Sequence, residues 1–420
     1  MLHKEIEKKI FVYADWKELK KPILMGILNS VISRGKEIFS FEYNKDWLHS
    51  EYAQVLDPDL QLFEGRQYTR DEKINFGVFL DSSPDRWGKL LMSKRETESA
   101  KKEKREPKVL SESDYLLGVN DRFRIGALRF KEDIEGPFLS YNIDMPIPHW
   151  TDIRNLEYAS LHLENENNKN NSDYIKWLDL LIAPGSSLGG ARPKAGISDE
   201  QNNLWIAKFP GTKDKNDMGI WEYITNILAT RSGIKTAKAK ILKLSDYGHT
   251  YLSKRFDRDE KGRRIHFASA MNMLGYTDNT DNVSYLEIAE FLLKYGCNLN
   301  ADLEELWKRI VFNICVRNTD DHLRNHGFIL TPSGWSLSPV YDVNPNPYGR
   351  SLKLNISETD NSLDLDLAMS VAVNFRVKPQ RAKEIVNTIK HEVKGWYSLA
   401  KKYKVSKSEQ EFMSAAFRNI

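Results

Sequence analysis

The sequence is poor in cysteine, in charge of one sign and in long apolar runs, and each shortage excludes a class of protein. Cys297 and Cys315 are the only two cysteines among 420 residues. Cys315 falls on an apolar helical face, so free thiols in a reduced compartment are expected and a disulfide framework is not. No run reaches the ~18 apolar residues that cross a bilayer, and the start Met1-Leu-His-Lys-Glu-Ile-Glu-Lys-Lys9 is too charged for a secretory signal. A cytoplasmic protein with no membrane partner is the expectation. The 62 basic and 59 acidic residues leave a net charge of +3, too balanced for a dedicated nucleic-acid binder, so any such binding must be local or shared.

What is present describes a globular chain: 40% hydrophobic residues, 29% charged residues and ten tryptophans over a length that predicts two or three domains. Short β-prone runs at Ile10–Tyr13, Ile23–Ile27 and Ile38–Tyr43 predict a small antiparallel meander. Phe76–Met92 has an apolar face interrupted by Pro84 and resumed at Trp87, which reads as a bent or capped helical element. Lys101–Lys108 reads as a solvated charge run. Pro146 and Pro148 precede a helical pattern from about Thr151, Asn165–Asp173 is a polar spacer, and the main boundary is expected near residue 147. Beyond it come helix, glycine-rich turn, strand pair, helix and further strands, then a mostly helical remainder. The expected fold class is α+β.

Leu303, Leu306, Trp307, Ile310, Val311, Ile314 and Cys315 recur at three- and four-residue steps, marking the buried stripe of an amphipathic helix that stops near Asn318. The polar loop Asn318-Thr-Asp-Asp-His-Leu-Arg-Asn-His326 follows, and then Gly327–Leu330, a Thr-Pro-Ser-Gly turn and Trp335–Tyr341 read as a hairpin ending in Asp342. Phosphoryl transfer needs a carboxylate to accept the nucleophile's proton and oxygen ligands to hold magnesium against phosphates. Asp320 and Asn325 stand five apart, and Asp342 returns on the hairpin. Asp321 is an alternative base. An isolated pair at this spacing is as often a turn-forming loop.

Upstream, Pro184-Gly-Ser-Ser-Leu-Gly-Gly-Ala-Arg-Pro-Lys194 has the glycines, hydroxyls and cations suited to backbone approach to phosphates, with Gly189, Gly190 and Lys194 as candidate contacts. It lacks the G-K-[ST] ending of a Walker loop, and alone such a segment is more often a flexible turn. Lys208 ends the apolar strand Leu204-Trp-Ile-Ala-Lys208, where a lysine needs an anionic partner. Glu222, near the start of a helix over Met218–Thr230, is the expected one, and a carboxylate there also suits the helix N-terminus.

Together Ser187–Lys194, Ile206–Pro210, Trp221-Glu-Tyr223, Ser253-Lys-Arg-Phe-Asp-Arg258, Thr319–Asn325 and Tyr341-Asp-Val343 resemble the HipA family of bacterial toxin kinases. Phe76–Leu91 and Leu117–Phe130 look like that family's accessory domain. The resemblance implies a bilobed catalytic domain related to protein kinases and phosphoinositide kinases: residues 1–147 as a β-rich accessory domain, 148–258 as the lobe with the glycine-rich loop and lysine strand, and 259–420 as a helical lobe. It implies ATP and Mg2+ as cofactors, Asp320 as catalytic base, Asn325 and Asp342 as magnesium ligands, Lys208 as phosphate contact, and Phe256 lining the adenine site. Ser187 matches the family's autophosphorylated serine, with Ser186 beside it as the other candidate. Lys254 stands where some relatives have a glutamate.

The implied partners are a helix-turn-helix antitoxin of the HipB kind, operator DNA bound through their complex, and a protein substrate of the aminoacyl-tRNA synthetase class. Arg376, Lys378, Arg381 and Lys383 are candidate phosphate contacts, although such a run is more often a solvated helical face. Other readings are a kinase-like scaffold that represses with its antitoxin, a small-molecule or lipid kinase, and a metal site of Cys297, Cys315, His322 and His326. The last lacks any Cys-x-x-Cys pair, and the two histidines are expected to brace the loop instead.

Overall fold

The computed structural model describes residues 7–70, 73–139, 148–165, 173–182, 190, 192–278 and 280–419. The chain forms two compact units, one of residues 1–212 with 257–268 and the other of 213–256 with 269–420. Both mix helix and sheet, as the α+β expectation required.

In the first unit, β1 (Glu7–Ala14), β2 (Ile23–Ser33), β3 (Lys36–Tyr43), β4 (Arg66–Tyr68) and β5 (Leu128–Lys131) form one antiparallel sheet in the order β4-β3-β2-β1-β5. The meander read from the sequence is its centre. Arg34 and Gly35 join β2 to β3 with φ of 50° and 78°, the paired left-handed conformation whose twist suits a two-residue hairpin. Alternate residues Ile10, Val12 and Ala14 are buried, with Phe79 set against Phe41 and Phe130 at ring distances of 5.5 and 6.1 Å. Each such aromatic contributes roughly 1.5–3 kcal/mol by leaving water.

Phe79 belongs to a short helix, Gly77–Asp81. After Pro84 the chain restarts as α1 (Arg86–Glu103), capped by Asp85 through Gly88 N, which is the bend expected of this stretch. The side chain of the fully buried Arg124 joins this element to the segment that follows Leu116. It donates to the carbonyls of Ser82 (2.6 Å), Leu116 (2.9 Å) and Val119 (3.0 Å). Burial holds its guanidinium down at about 9.

The first unit also contains α2 (Ile153–Glu164), α3 (Tyr174–Ile182) and the hairpin of β6 (Lys194–Ser198) with β7 (Leu204–Lys208). Residues 257–268 close onto it. Asp257 accepts from Gly126 N at 2.8 Å, and Arg264 donates to the Asp121 carbonyl at 2.6 Å. Gly126 has φ +70°, and a Cβ there would meet Phe267 backbone atoms at 3.2 and 3.3 Å, so this approach requires glycine.

The second unit begins with α4 (Met218–Arg231) and the hairpin of β8 (Ala239–Ser245) and β9 (Gly248–Lys254). Its helical body includes α5 (Tyr285–Tyr295), α6 (Leu299–Val316) and α7 (Pro379–Val393), with the hairpin of β10 (Gly327–Thr331) and β11 (Gly334–Leu337) between the last two. The seven stripe residues of α6 are all buried. On α7, which packs on α6, Ala382, Ile385, Ile389 and Val393 turn inward and Arg381 forks onto Glu304 at 2.9 and 3.2 Å. That pairing engages one of the four basic residues considered for phosphate contact. Among the described residues, no helix is long and apolar enough to cross a membrane.

Candidate active site

The site is launched from the end of α6. Arg317 takes the left-handed conformation (φ +50°) as its C-cap and turns the following loop off the helix. Within that loop Asp320 is exposed and Asp321 is buried. Asp321 Oδ2 accepts from the Tyr285 hydroxyl at 2.5 Å and from Asn313 Nδ2 at 2.9 Å, and it lies 2.8 Å from His326 Nε2. Burial pushes this carboxyl up, but His326, the Tyr285 hydroxyl and His322 outweigh it and hold the group below the usual carboxylate range. Burial, and then the Asp321 charge, drive the Tyr285 phenol well above its ordinary value. His326 therefore braces the loop. The Nδ1 of His322 is buried with no hydrogen-bond partner among the described residues. Asn325 Nδ2 donates to the Asp320 carbonyl at 3.2 Å, leaving its Oδ1 as the side-chain acceptor.

The chain after β11 arrives from the other side. Val340 N donates to the Lys235 carbonyl at 2.8 Å, and Val340 bridges Thr236. Asp342 then adopts φ +57°, a conformation that non-glycine residues seldom take and that gathers at functional sites. The two loops are tied together around it. The Tyr341 hydroxyl donates to the Arg324 carbonyl (2.7 Å), Asn346 N to the Arg317 carbonyl (3.1 Å), and Asn346 Nδ2 to Thr319 Oγ1 (2.8 Å). The segments carrying Asp320, Asn325 and Asp342 are thus one assembly.

Two more expected residues share this region. The Phe256 ring lies 5.7 Å from that of Tyr341. Glu222, buried in the first turns of α4, and Asp342 both act on Tyr251: burial first, then these carboxylates, raise its phenol well above the ordinary value. Tyr251 had no signal in the sequence. Asn313 had one, since it interrupts the apolar run of α6 and a buried amide needs partners.

The remaining candidates lie in the first unit. Lys194 and Lys208 are directly opposite each other across β6 and β7. Lys208 is half-buried. The Lys194 side chain is 2% exposed and paired at 2.7 Å with an Asp85 side chain 3% exposed, and its ammonium also donates to the Gly190 carbonyl at 3.2 Å. The ammonium considered for phosphate contact is therefore engaged inside its own unit. Gly190 has φ +97°, a conformation natural to glycine. Ser186, Ser187 and Gly189 lie outside the described residues.

The donor set fits a magnesium ion: a carboxylate on Asp342 and an amide oxygen on Asn325 are the hard oxygen ligands this cation takes. Residues 186–397 match the family described as the HipA-like C-terminal domain. A putative kinase of Haemophilus influenzae is 36% identical over 187 residues, covering 39% of this chain and 54% of that protein. The serine/threonine-protein kinase toxin HipA of Shewanella oneidensis is 25% identical over 192 residues, covering 38% and 43%. The chain thus spans about half the length of the curated relatives it matches. The solved Shewanella oneidensis complex of HipA, HipB and operator DNA contains a chain of the same fold, with TM-score 0.69, 17% identity and coverage of 98% of this chain and 95% of that one. With half of its length matched by the family's C-terminal-domain model, and with its fold shared, this chain belongs to the HipA family.

Proposed function

We propose that the chain is an ATP- and Mg2+-dependent serine/threonine protein kinase, the toxin of a toxin-antitoxin pair. The observation that carries this reading is the tying of the Asp342 turn to the Asp320–Asn325 loop, with Asp342 held in a left-handed backbone. An exposed Asp320 carboxylate is suited to take the proton of a seryl or threonyl hydroxyl as its oxygen attacks the γ-phosphorus and the bond to ADP breaks. Asn325 and Asp342 are the proposed magnesium ligands. When bound, the cation supplies charge neutralisation at the phosphates. Lys208 is proposed as the phosphate contact, Phe256 as an adenine neighbour and Glu222 as the acidic partner of the site. Lys194 is assigned instead to holding the foot of the glycine-rich segment.

Family membership supports three further proposals: a helix-turn-helix antitoxin as partner, operator DNA reached through it, and a translation protein such as an aminoacyl-tRNA synthetase as substrate. It also supports self-inactivation by phosphorylation of Ser187 or Ser186, through the negative charge that a phosphate adds. The functional division proposed is 1–147 accessory, 148–258 nucleotide lobe and 259–420 helical lobe, in a cytoplasmic protein. Incubation with labelled ATP and a bacterial lysate tests the reading. Label should enter protein and vanish in Asp320→Ala and Asp342→Ala, and equal labelling by these variants would refute it. Operator binding without any ATP turnover would favour the repressor scaffold.

A further inference from the structure

Three side chains, joined by four hydrogen bonds, connect the buried anchor of one loop to the carboxylate of the other. Asn313 Nδ2 donates to Asp321 Oδ2 at 2.9 Å, and Asn313 Oδ1 accepts from Asn318 Nδ2 at 3.1 Å. Asn318 Oδ1 accepts from Asn344 N at 3.2 Å, and Asn344 Nδ2 donates to Asp342 Oδ1 at 3.1 Å. Asn313 and Asn318 are almost wholly buried. Each uses its amide as donor and acceptor at once, a role that an ionised carboxylate or an apolar side chain of that size cannot fill.

We infer that Asn318 and Asn344 are positioning residues, which set the Asp342 carboxylate for its cation by coupling it through Asn313 to Asp321. The inference rests on the kinase reading above and deepens it by naming what orients a proposed ligand. The physical need comes from the Asp342 backbone. A left-handed aspartate has no regular ladder to hold it, so its side chain must be aimed by its neighbours. Asn344 does so two residues on. Asn318 fixes Asn344 in turn, by binding its main-chain N–H from the opposite loop. Outer partners of this kind typically alter metal affinity by ~10–100-fold when removed.

The test uses the full chain and two readouts. Mn2+ binding in the presence of a non-hydrolysable ATP analogue is followed by the electron-paramagnetic signal of free Mn2+, and analogue binding is measured separately without metal. Asn318→Ala and Asn344→Ala should each weaken Mn2+ binding by ~10-fold and leave metal-free analogue binding within about 2-fold. Asn344→Ala removes only a half-exposed side chain, so it keeps the test valid if Asn318→Ala folds poorly. Hydrogen exchange of the metal-free chain supplies the second readout: in Asn318→Ala the Asn344 amide should exchange at least about 10-fold faster, as expected when its local bond is lost, while the Asn346 amide keeps its rate. Mn2+ binding unchanged in Asn344→Ala overturns the inference and leaves the kinase reading standing. An unaltered chain that binds no Mn2+ with the analogue overturns both.

Discussion

Lys194 and Lys208 stand opposite each other across β6 and β7, and Lys194 is held by a 2.7 Å ion pair to Asp85. Two like charges facing each other across a ladder repel. Asp85 relieves this by neutralising one of them within the unit, while also capping α1 through its other oxygen.

The two lysines should therefore separate by phenotype. Lys194→Ala strands a buried carboxylate and should cost about 3–5 kcal/mol, read from the midpoint of urea unfolding. Lys208→Met, which keeps the aliphatic stem, should abolish most phosphate transfer, read with labelled ATP.

The adjacent Asp320 and Asp321 should separate in the same way. Asp321→Ala removes the shared acceptor of Tyr285 and Asn313 and the partner of His326, a loss of about 3–5 kcal/mol measured by denaturation. Asp320→Ala, at an exposed position, should stay within about 0.5 kcal/mol of the parent and lower transfer by ~100–10,000-fold.

Acid sensitivity should trace in part to Asp217. Its carboxylate caps α4 through Ile220 N, accepts from His249 N at 2.9 Å, and lies 2.5 Å from His249 Nδ1. Burial pushes its pKa up, but His249 and the N–H donors prevail and hold it below the ordinary value. A carboxyl whose folded pKa is depressed contributes stability above its unfolded pKa of about 3.9, and that stability is lost as pH falls through the folded value. Asp217→Asn keeps a cap but has no such titration. The parent should be more stable by about 1–2 kcal/mol near neutrality, and the difference should shrink below about pH 4 in urea titrations run across pH.

The thiols should differ in reactivity. Cys315 is fully buried and its thiol is pushed up to about 12 by burial, whereas Cys297 is partly exposed beside Thr331. Brief iodoacetamide treatment of the native chain followed by peptide mass spectrometry should find Cys297 modified and Cys315 spared. Unfolding should equalise them.

Much of this was legible in the sequence, for identifiable reasons. The α6 stripe, the meander and the hairpin before Asp342 are periodic patterns, and period survives without coordinates. Charge pairing over long separations does not. Lys194 reads as a phosphate contact until Asp85, 109 positions earlier, is found against it. The asparagines behaved similarly. Asn313, Asn318 and Asn344 look like ordinary polar residues of a helix and its loops, and only tertiary placement turns them into a series of matched donors and acceptors. The choice between Asp320 and Asp321 had no local signal either, because burial separates them and sequence spacing does not.

The excursion of residues 257–268 into the first unit bears on how the chain is made. That unit's Asp121 and Gly126 wait for Arg264 and Asp257, which a ribosome adds only after all of 213–256 has been synthesised. Neither unit is a continuous stretch, so no single proteolytic cut yields either of them free of residues of the other. A nascent chain halted before residue 257 would carry an amino-terminal sheet that lacks these closing contacts. Stability measured on fragments ending at residue 212 should therefore underestimate that of the same unit in the finished protein.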